Sequence, residues 1–352
     1  MPKPHLVRLN VHTNPVLPVE TDYYRRYDLA PLCVEANTPD AILAHAAQCD
    51  ILFVVATALP RSVIDGLQRC RLIARLGNGT DKIDVARATQ RGLLVANAPY
   101  FCVAEMSDHI LAMLLSLARQ LPHMDRHMRS GAYYEARDEA LQLPRLEGLT
   151  LGLVGFGATG PPVAKRAQAF GMRVVATRRR LGATPEAEAL GVEMLGLEAL
   201  LEQADFVSLQ LPLTKETHHL LDEKALRRMK PGAILINTSR GALVDEDALA
   251  RVLAAGHLGG AGLDTFAVVD IFAENPQRLD HPLTHLDNVL LSPHVSGMSA
   301  GAAADVARTG VQNAVAVLAG HRPPEENIVN PKVKPWCSLA PFDPACLRPT
   351  NP

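Results

Sequence analysis

A chain of 352 residues is long enough for two domains, and 48% hydrophobic against 20% charged residues can bury a sizeable core, which excludes global disorder. A formal net charge of -2 argues against a protein built to bind polyanions. No apolar run reaches the length of a membrane span, and the opening Met1-Pro2-Lys3-Pro4-His5 leads into no apolar segment of the kind a secretory leader needs. The six scattered cysteines form no CxxC pair, so they predict reduced thiols in a cytoplasmic protein rather than a disulfide framework or a zinc site.

The chain opens on a strand over 5–11. Thr38 caps a helix that begins at Pro39, a residue suited to the first helical position. A β-branched strand over 51–55, a helix over 60–69, a strand over 72–76, a helix over 84–91 stopped by Gly92 and a strand over 93–96 follow. Strand–helix alternation at this spacing predicts a parallel sheet covered by helices. The next helix, over 103–121, carries Ile110, Leu111, Met113, Leu114, Leu115 and Leu117, more than one stripe, and is expected to be buried on several sides. The stretch 122–149 reads as a polar, irregular surface excursion. A second block starts at 150, with strands over 151–154, 173–176, 206–210, 233–237 and 260–264 and helices near 159–171, 197–203, 223–229 and 246–256. A short strand over 288–291 leads into Ser292-Pro293-His294, and an alanine-rich helix spans 300–320. From Pro323 the chain is rich in proline without periodicity, and the segment beyond Asn330 is expected to be irregular and dispensable for folding.

The strongest local signal is Gly155-Phe156-Gly157-Ala158-Thr159-Gly160, set between a strand and a helix with another strand to follow. In that context the spacing predicts a dinucleotide site: Gly155 for the tight turn, Gly157 for approach to a pyrophosphate, Gly160 for close helix–strand packing, and the helix N-terminus for the phosphates. The acid that would hold a ribose 2′-hydroxyl is missing. The second strand ends instead in Thr177-Arg178-Arg179-Arg180, which suits a 2′-phosphate and predicts NADP, with NAD as the alternative. A solvated basic turn is the plainer reading of the same residues. Arg240, in Asn237-Thr238-Ser239-Arg240-Gly241, follows another strand and could fork onto a carboxylate. His294 ends a further strand and could exchange a proton near neutral pH. His123 and His127 are four residues apart, as paired metal ligands can be, but no third ligand is evident and no metal is expected. His218-His219 lies in a polar loop after Pro212, without a readable role.

Taken together, four motifs carry a resemblance: Arg75-Leu76-Gly77-Asn78-Gly79-Thr80-Asp81-Lys82-Ile83-Asp84, the GFGATG loop, Asn237-Thr238-Ser239-Arg240-Gly241-Ala242-Leu243-Val244-Asp245, and Asp287-Asn288-Val289-Leu290-Leu291-Ser292-Pro293-His294. Over about 38–330 the chain resembles the D-isomer-specific 2-hydroxyacid dehydrogenases. The resemblance implies an α/β protein of two doubly wound parallel-sheet domains: a discontinuous flavodoxin-like substrate domain (1–102 and 295–330), an inserted Rossmann NAD(P)-binding domain (103–294), and a proline-rich tail (331–352). It implies a homodimer paired through the cofactor domain, with the 103–121 helix and the 122–149 excursion as candidates for the contact. Substrate would lie in the cleft.

The resemblance also implies roles. Arg240 would bind the substrate carboxylate and polarise the carbonyl, and His294 would act as general acid/base. Backbone N–H groups of Leu76, Gly77, Asn78 and Gly79 would hold the carboxylate, with Arg75 similar to the arginine of the C-terminal binding protein branch. Asp264 would contact the nicotinamide carboxamide, and Pro212, Thr217, Thr238, Ser239 and Gly297 would join Gly155, Gly157, Ala158, Thr159, Gly160, Arg178 and Arg179 around the cofactor. The family's catalytic glutamate would fall at Val269. An insertion would move that role to Glu274, with Asp270 as the alternative. The implied activity is NADPH-dependent reduction of a small 2-oxo acid, glyoxylate or hydroxypyruvate by default, to its 2-hydroxy acid. The alternative is a nucleotide-sensing regulator with little turnover, and neither reading needs nucleic acid or membrane.

Overall fold

A computed structural model describes residues 3–182, 184–273 and 276–349. The chain forms two compact units. One holds the chain up to Cys102 and again from Met298, with a short stretch beginning at Phe272; the other holds Val103–Ile271 and the stretch ending at Gly297.

The first unit is a five-stranded parallel sheet of β1 (Leu6–Leu9), β2 (Leu32–Val34), β3 (Ile51–Val54), β4 (Leu72–Arg75) and β5 (Leu94–Ala96), in the order β2-β1-β3-β4-β5. Its central strands are buried on both faces, as parallel strands between helical layers must be. Leu52 and Val54 pack on one side with Ile42, Val63 and Ile64, while Ile51 and Phe53 pack on the other with Val311, Ala314 and Val317 of the helix Ala300–Leu318. Arg8 breaks the apolar run of β1 yet is 1% exposed. Its guanidinium is held by Glu20 (3.1 Å) and by the carbonyls of Leu9 and Asn14, so the buried charge is fully paired. Glu20 belongs to the helix Pro18–Arg26, which, like β2, the sequence analysis did not identify.

The second unit is a seven-stranded parallel sheet of β6 (Thr150–Val154), β7 (Arg173–Thr177), β8 (Glu193–Met194), β9 (Phe206–Leu209), β10 (Ile234–Asn237), β11 (Gly260–Leu263) and β12 (Val289–Leu291), in the order β12-β11-β10-β9-β6-β7-β8. That is the doubly wound order of dinucleotide-binding folds with one strand added, and its direction reverses between β6 and β9. The helix Val103–Ala118 buries Ile110, Leu111, Met113, Leu114 and Ala118 against this sheet. Both sheets are of the α/β, doubly wound kind read from the sequence.

Two expectations fail. The excursion over 122–149 is not irregular: it holds the helices Leu121–Ser130 and Tyr133–Ala140, joined through Gly131 at φ 85°. Neither helix buries a residue, and the helical spacing of Leu121, Met124 and Met128 lies hidden among the charged residues around it. The tail has little regular structure but is docked. Trp336 donates its backbone N–H to Gly92 (3.1 Å) and its indole N–H to Cys70 (2.8 Å), and Val333 is buried in the core of the first unit. Proline denies a segment regular hydrogen bonding without preventing its side chains from packing. Among the described residues no helix is long and apolar enough to cross a membrane.

Candidate active site

The glycine loop leaves β6 at the point where the sheet reverses. Gly155 adopts φ 106°, and a Cβ there would lie 2.4 Å from the Gln210 carbonyl at the end of β9. Only glycine takes that conformation in that space. A Cβ at Gly157 would meet nothing within 4 Å, which leaves the backbone open on the side a pyrophosphate would approach. Gly160 differs from expectation: its close neighbour is the Phe156 ring of the same loop, not a strand. The helix Gly160–Ala169 starts with Pro161 and Pro162, which have no N–H to offer. The Gly160 N–H goes to the Gly157 carbonyl. The donors left for a phosphate are therefore the loop amides of Ala158 and Thr159, backed by the helix dipole.

Arg178 and Arg179 follow β7, and both are exposed, as is Arg180. Among the described residues none of the three makes an ion pair with a carboxylate. The loop after β9 is braced internally: the Thr217 hydroxyl donates to the Pro212 carbonyl (2.8 Å) and accepts from the Thr214 N–H (2.7 Å). Glu216 in that loop is held below the usual carboxylate range, first by the Thr214 hydroxyl and more weakly by Arg179 and Lys215.

The end of β10 is fixed by Asn237. Its side chain donates to the Arg240 carbonyl (2.8 Å) and accepts from the Ser239 N–H (3.1 Å), while the Ser239 hydroxyl donates to Leu209 at the end of β9 (2.8 Å). Arg240 is half-buried in extended backbone, with one guanidinium nitrogen on the Ser239 carbonyl.

His294 sits at φ 55°, a left-handed conformation that costs a non-glycine residue about 1–3 kcal/mol. Asp264, which follows β11 and is fully buried, holds that turn. Its carboxylate accepts from the Ser292 hydroxyl (2.5 Å) and from the N–H groups of Val295 (2.9 Å) and Ser296 (3.0 Å), and its carbonyl accepts from the His294 N–H (2.8 Å). His109, on the helix Val103–Ala118, completes the cluster with its Nε2 3.0 Å from the Ser292 oxygen. Because the serine proton is spent on Asp264, that nitrogen must carry the hydrogen. Neither His109 nor Ser292 stands out in the sequence as a site residue. The available signal was Ser107-Asp108-His109, a polar interruption of an otherwise apolar helix.

In the first unit the Arg75–Gly79 loop turns through Gly77 at φ 136°. The Leu76 N–H completes the β3 edge at Val54 (2.8 Å) and the Gly77 N–H returns to Arg75 (3.0 Å), so these two amides are not the carboxylate donors the resemblance implied. Asn78 and Gly79 keep their N–H groups without a partner among the described residues. The Asn97 side chain anchors the loop at the Asn78 carbonyl (2.7 Å), and Arg75 donates across it to Gly79 (2.8 Å).

Three adjacent strands of the second sheet end in sealed polar atoms without a hydrogen-bond partner: Gln210 Oε1 after β9, Thr238 Oγ1 after β10 and Thr265 Oγ1 after β11. Buried polar groups are rarely left so, and a row of them at the carboxyl edge of a doubly wound sheet fits a ligand that satisfies them. Glu246 lies beside the same edge, accepting from the Ala267 N–H (2.8 Å) with its other oxygen unpartnered; burial pushes its carboxyl up. Gly297 closes the turn after His294, half-buried. Asp270 is exposed, and Glu274 lies outside the described residues.

Residues 111–296 match the family model described as D-isomer specific 2-hydroxyacid dehydrogenase, NAD binding domain. The chain is 40% identical over 294 residues to a glyoxylate reductase of Korarchaeum cryptofilum, covering 83% of this chain and 86% of that one. It is 39% identical over 313 residues to a D-3-phosphoglycerate dehydrogenase of Mycobacterium bovis, 87% of this chain but 57% of that protein's length. Among solved structures, the D-lactate dehydrogenase of Aquifex aeolicus, complexed with NAD and lactic acid, superposes with a TM-score of 0.81 at 26% identity, covering 92% of this chain and 98% of that one.

Proposed function

The chain belongs to the D-isomer-specific 2-hydroxyacid dehydrogenase family, and from that premise we propose that it reduces a small 2-oxo acid to the 2-hydroxy acid with a nicotinamide cofactor, NADPH in preference to NADH. The observation that carries the reading is the row of unsatisfied polar atoms after β9, β10 and β11, next to a glycine loop open at Gly157. The exposed Arg178 and Arg179 after β7, with no acid in their place, support the 2′-phosphate.

When bound, the reduced nicotinamide supplies a hydride to the carbonyl carbon. Arg240 forks onto the substrate carboxylate and polarises the carbonyl. His294 delivers a proton to the carbonyl oxygen, so that the carbon gains hydride, the oxygen gains a proton, and an alcohol results. Glu274 is assigned to orient His294, with Asp270 as the alternative. Glu274→Gln then lowers the pH at which the alkaline limb of reduction falls, because a lost negative charge favours the neutral imidazole.

Steady-state rates with glyoxylate, hydroxypyruvate and pyruvate, each with NADPH and NADH, test the reading. At least one acid should be turned over, with kcat/KM favouring NADPH by roughly tenfold or more, the scale of one charge-assisted phosphate contact. Tight nucleotide binding without turnover of any 2-oxo acid would favour a regulator. Exposed Leu121, Met128, Tyr133, Tyr134 and Leu141 crowd one helix pair of the second unit and support pairing of two copies there, which light scattering of the purified chain reads directly. The free cysteines, Cys33 exposed among them, support a reducing compartment such as the cytoplasm.

A further inference from the structure

We propose that His123, His127 and Glu139 form a divalent transition-metal site, with Zn²⁺ the ion of choice, on the helix pair Leu121–Ser130 and Tyr133–Ala140. The two histidines are four apart and so share a helix face, their ring centroids 4.2 Å apart. The second helix returns through Gly131 and brings Glu139 to them: its Oε2 lies 2.5 Å from Nε2 of His123. One donor atom from each residue falls within 4.8 Å of the other two. Ligands on a tetrahedral zinc ion, each about 2.0–2.2 Å from the metal, stand roughly 3.3 Å apart. The His123–Glu139 pair at 2.5 Å opens and the longer distances, up to 4.8 Å, close to that spacing by rotation of half-exposed side chains, and water takes the fourth position.

Two further observations favour a metal over a simple ion pair. Nδ1 of His127 is sealed from solvent and has no hydrogen-bond partner, so the cluster as it stands leaves an imidazole nitrogen unsatisfied. The cations on the same helix are occupied elsewhere, Arg126 with Asp287 (3.2 Å) and Arg129 with Asp125 (2.7 Å), which leaves the Glu139 charge available to the ion. Two imidazoles and a carboxylate suit zinc and its neighbours and not calcium or magnesium, which take oxygen ligands. Bound metal would tie one helix of the pair to the other.

The site stands independently of the reductase reading. Tag-free full-length protein, stripped with chelator, is titrated with Zn²⁺ by calorimetry, and with Co²⁺ by absorption to identify the ligands. One equivalent is expected per chain, with a Co²⁺ spectrum lacking a thiolate charge-transfer band and a melting temperature raised by Zn²⁺. His127→Ala and Glu139→Gln, on exposed helices where neither should disturb folding, are expected to weaken binding by roughly tenfold or more each. Failure to bind one equivalent, unaltered affinity in His127→Ala, or a thiolate band in the Co²⁺ complex would each overturn the assignment.

Discussion

Asp264→Asn is the substitution that most directly tests how His294 is held. The carboxylate receives three hydrogen bonds inside a site with no solvent, from Ser292, Val295 and Ser296. An asparagine keeps one oxygen, which can still serve Ser292 and Val295, but its amide nitrogen then faces the Ser296 N–H, donor against donor. Ser296 is itself buried, so that N–H finds no water. A stranded buried donor costs about 1–3 kcal/mol, and a lost charge-assisted bond is worth about 1.5–3 kcal/mol. The two overlap, and about 3 kcal/mol is a fair sum. That matches the strain stored at φ 55°, so the histidine is no longer compelled to stay where it is. With each 1.36 kcal/mol worth tenfold in rate, kcat should fall on the order of 10²-fold while nucleotide affinity, read by fluorescence quenching, stays within a few-fold. The melting temperature should drop by roughly 6–12 °C. Ser292→Ala removes one of the three bonds and should cost about a tenth as much in rate. If Asp264→Asn keeps wild-type kcat and loses nucleotide affinity instead, the carboxylate serves the nicotinamide and the bracing argument is wrong.

Other outcomes follow from the same structure. Replacing His109 by Leu should lower kcat without raising KM, and Gln, which keeps a donor for Ser292, should recover much of the loss; equal effects from both would show packing alone at work. Glu246 is a carboxyl raised by burial, so its contribution to stability is fully present below the unfolded value of 4.5 and is lost as pH rises through the folded value. Glu246→Gln should therefore gain on wild type in urea midpoint between pH 4.5 and 7, and a difference independent of pH would count against it. Truncation after Asn330 removes buried Val333 and both Trp336 bonds, about 3 kcal/mol in all, and should lower the melting transition of the first unit by several degrees in calorimetry.

The alternation of apolar runs with helical patterns carried the parallel sheets through to the structure, because strands buried on both faces leave an unbroken hydrophobic signal. Weak amphipathic pieces did not carry. The helix Pro18–Arg26 presents Glu20 and Tyr24 inward to Arg8, an arrangement whose polar residues read as solvent-facing until their partner is known. The two excursion helices bury nothing, and their apolar residues, Leu121, Met124 and Met128 among them, stand between charges and read as surface. At the site, glycines and strand-end residues were readable because backbone geometry demands them. The partners of Asp264 were not: a carboxylate that binds amides four and five residues beyond another strand leaves no spacing rule behind. The same holds for Leu76 and Gly77, whose amides are claimed by local backbone that only the fold reveals.

The first sheet also depends on residues made long after its strands. Ile51, Phe53, Leu72 and Leu94 are covered by Val311, Ala314 and Val317, and the bond from the Tyr27 hydroxyl reaches Leu347, 320 residues away. About 200 residues separate the end of β5 from the start of the covering helix. At 5–20 residues per second a ribosome needs roughly 10–40 s to make them. Throughout that interval the nascent chain carries one apolar sheet face covered only in part, by Tyr24 and Tyr27 near Phe53, while the second unit, continuous through β11, can complete most of its own core. The order of synthesis therefore imposes an order of folding, the second unit before the first. It also makes the waiting sheet the point where a chaperone binds or aggregation starts. A permuted chain beginning at Met298 would supply the helix first and shorten the exposure.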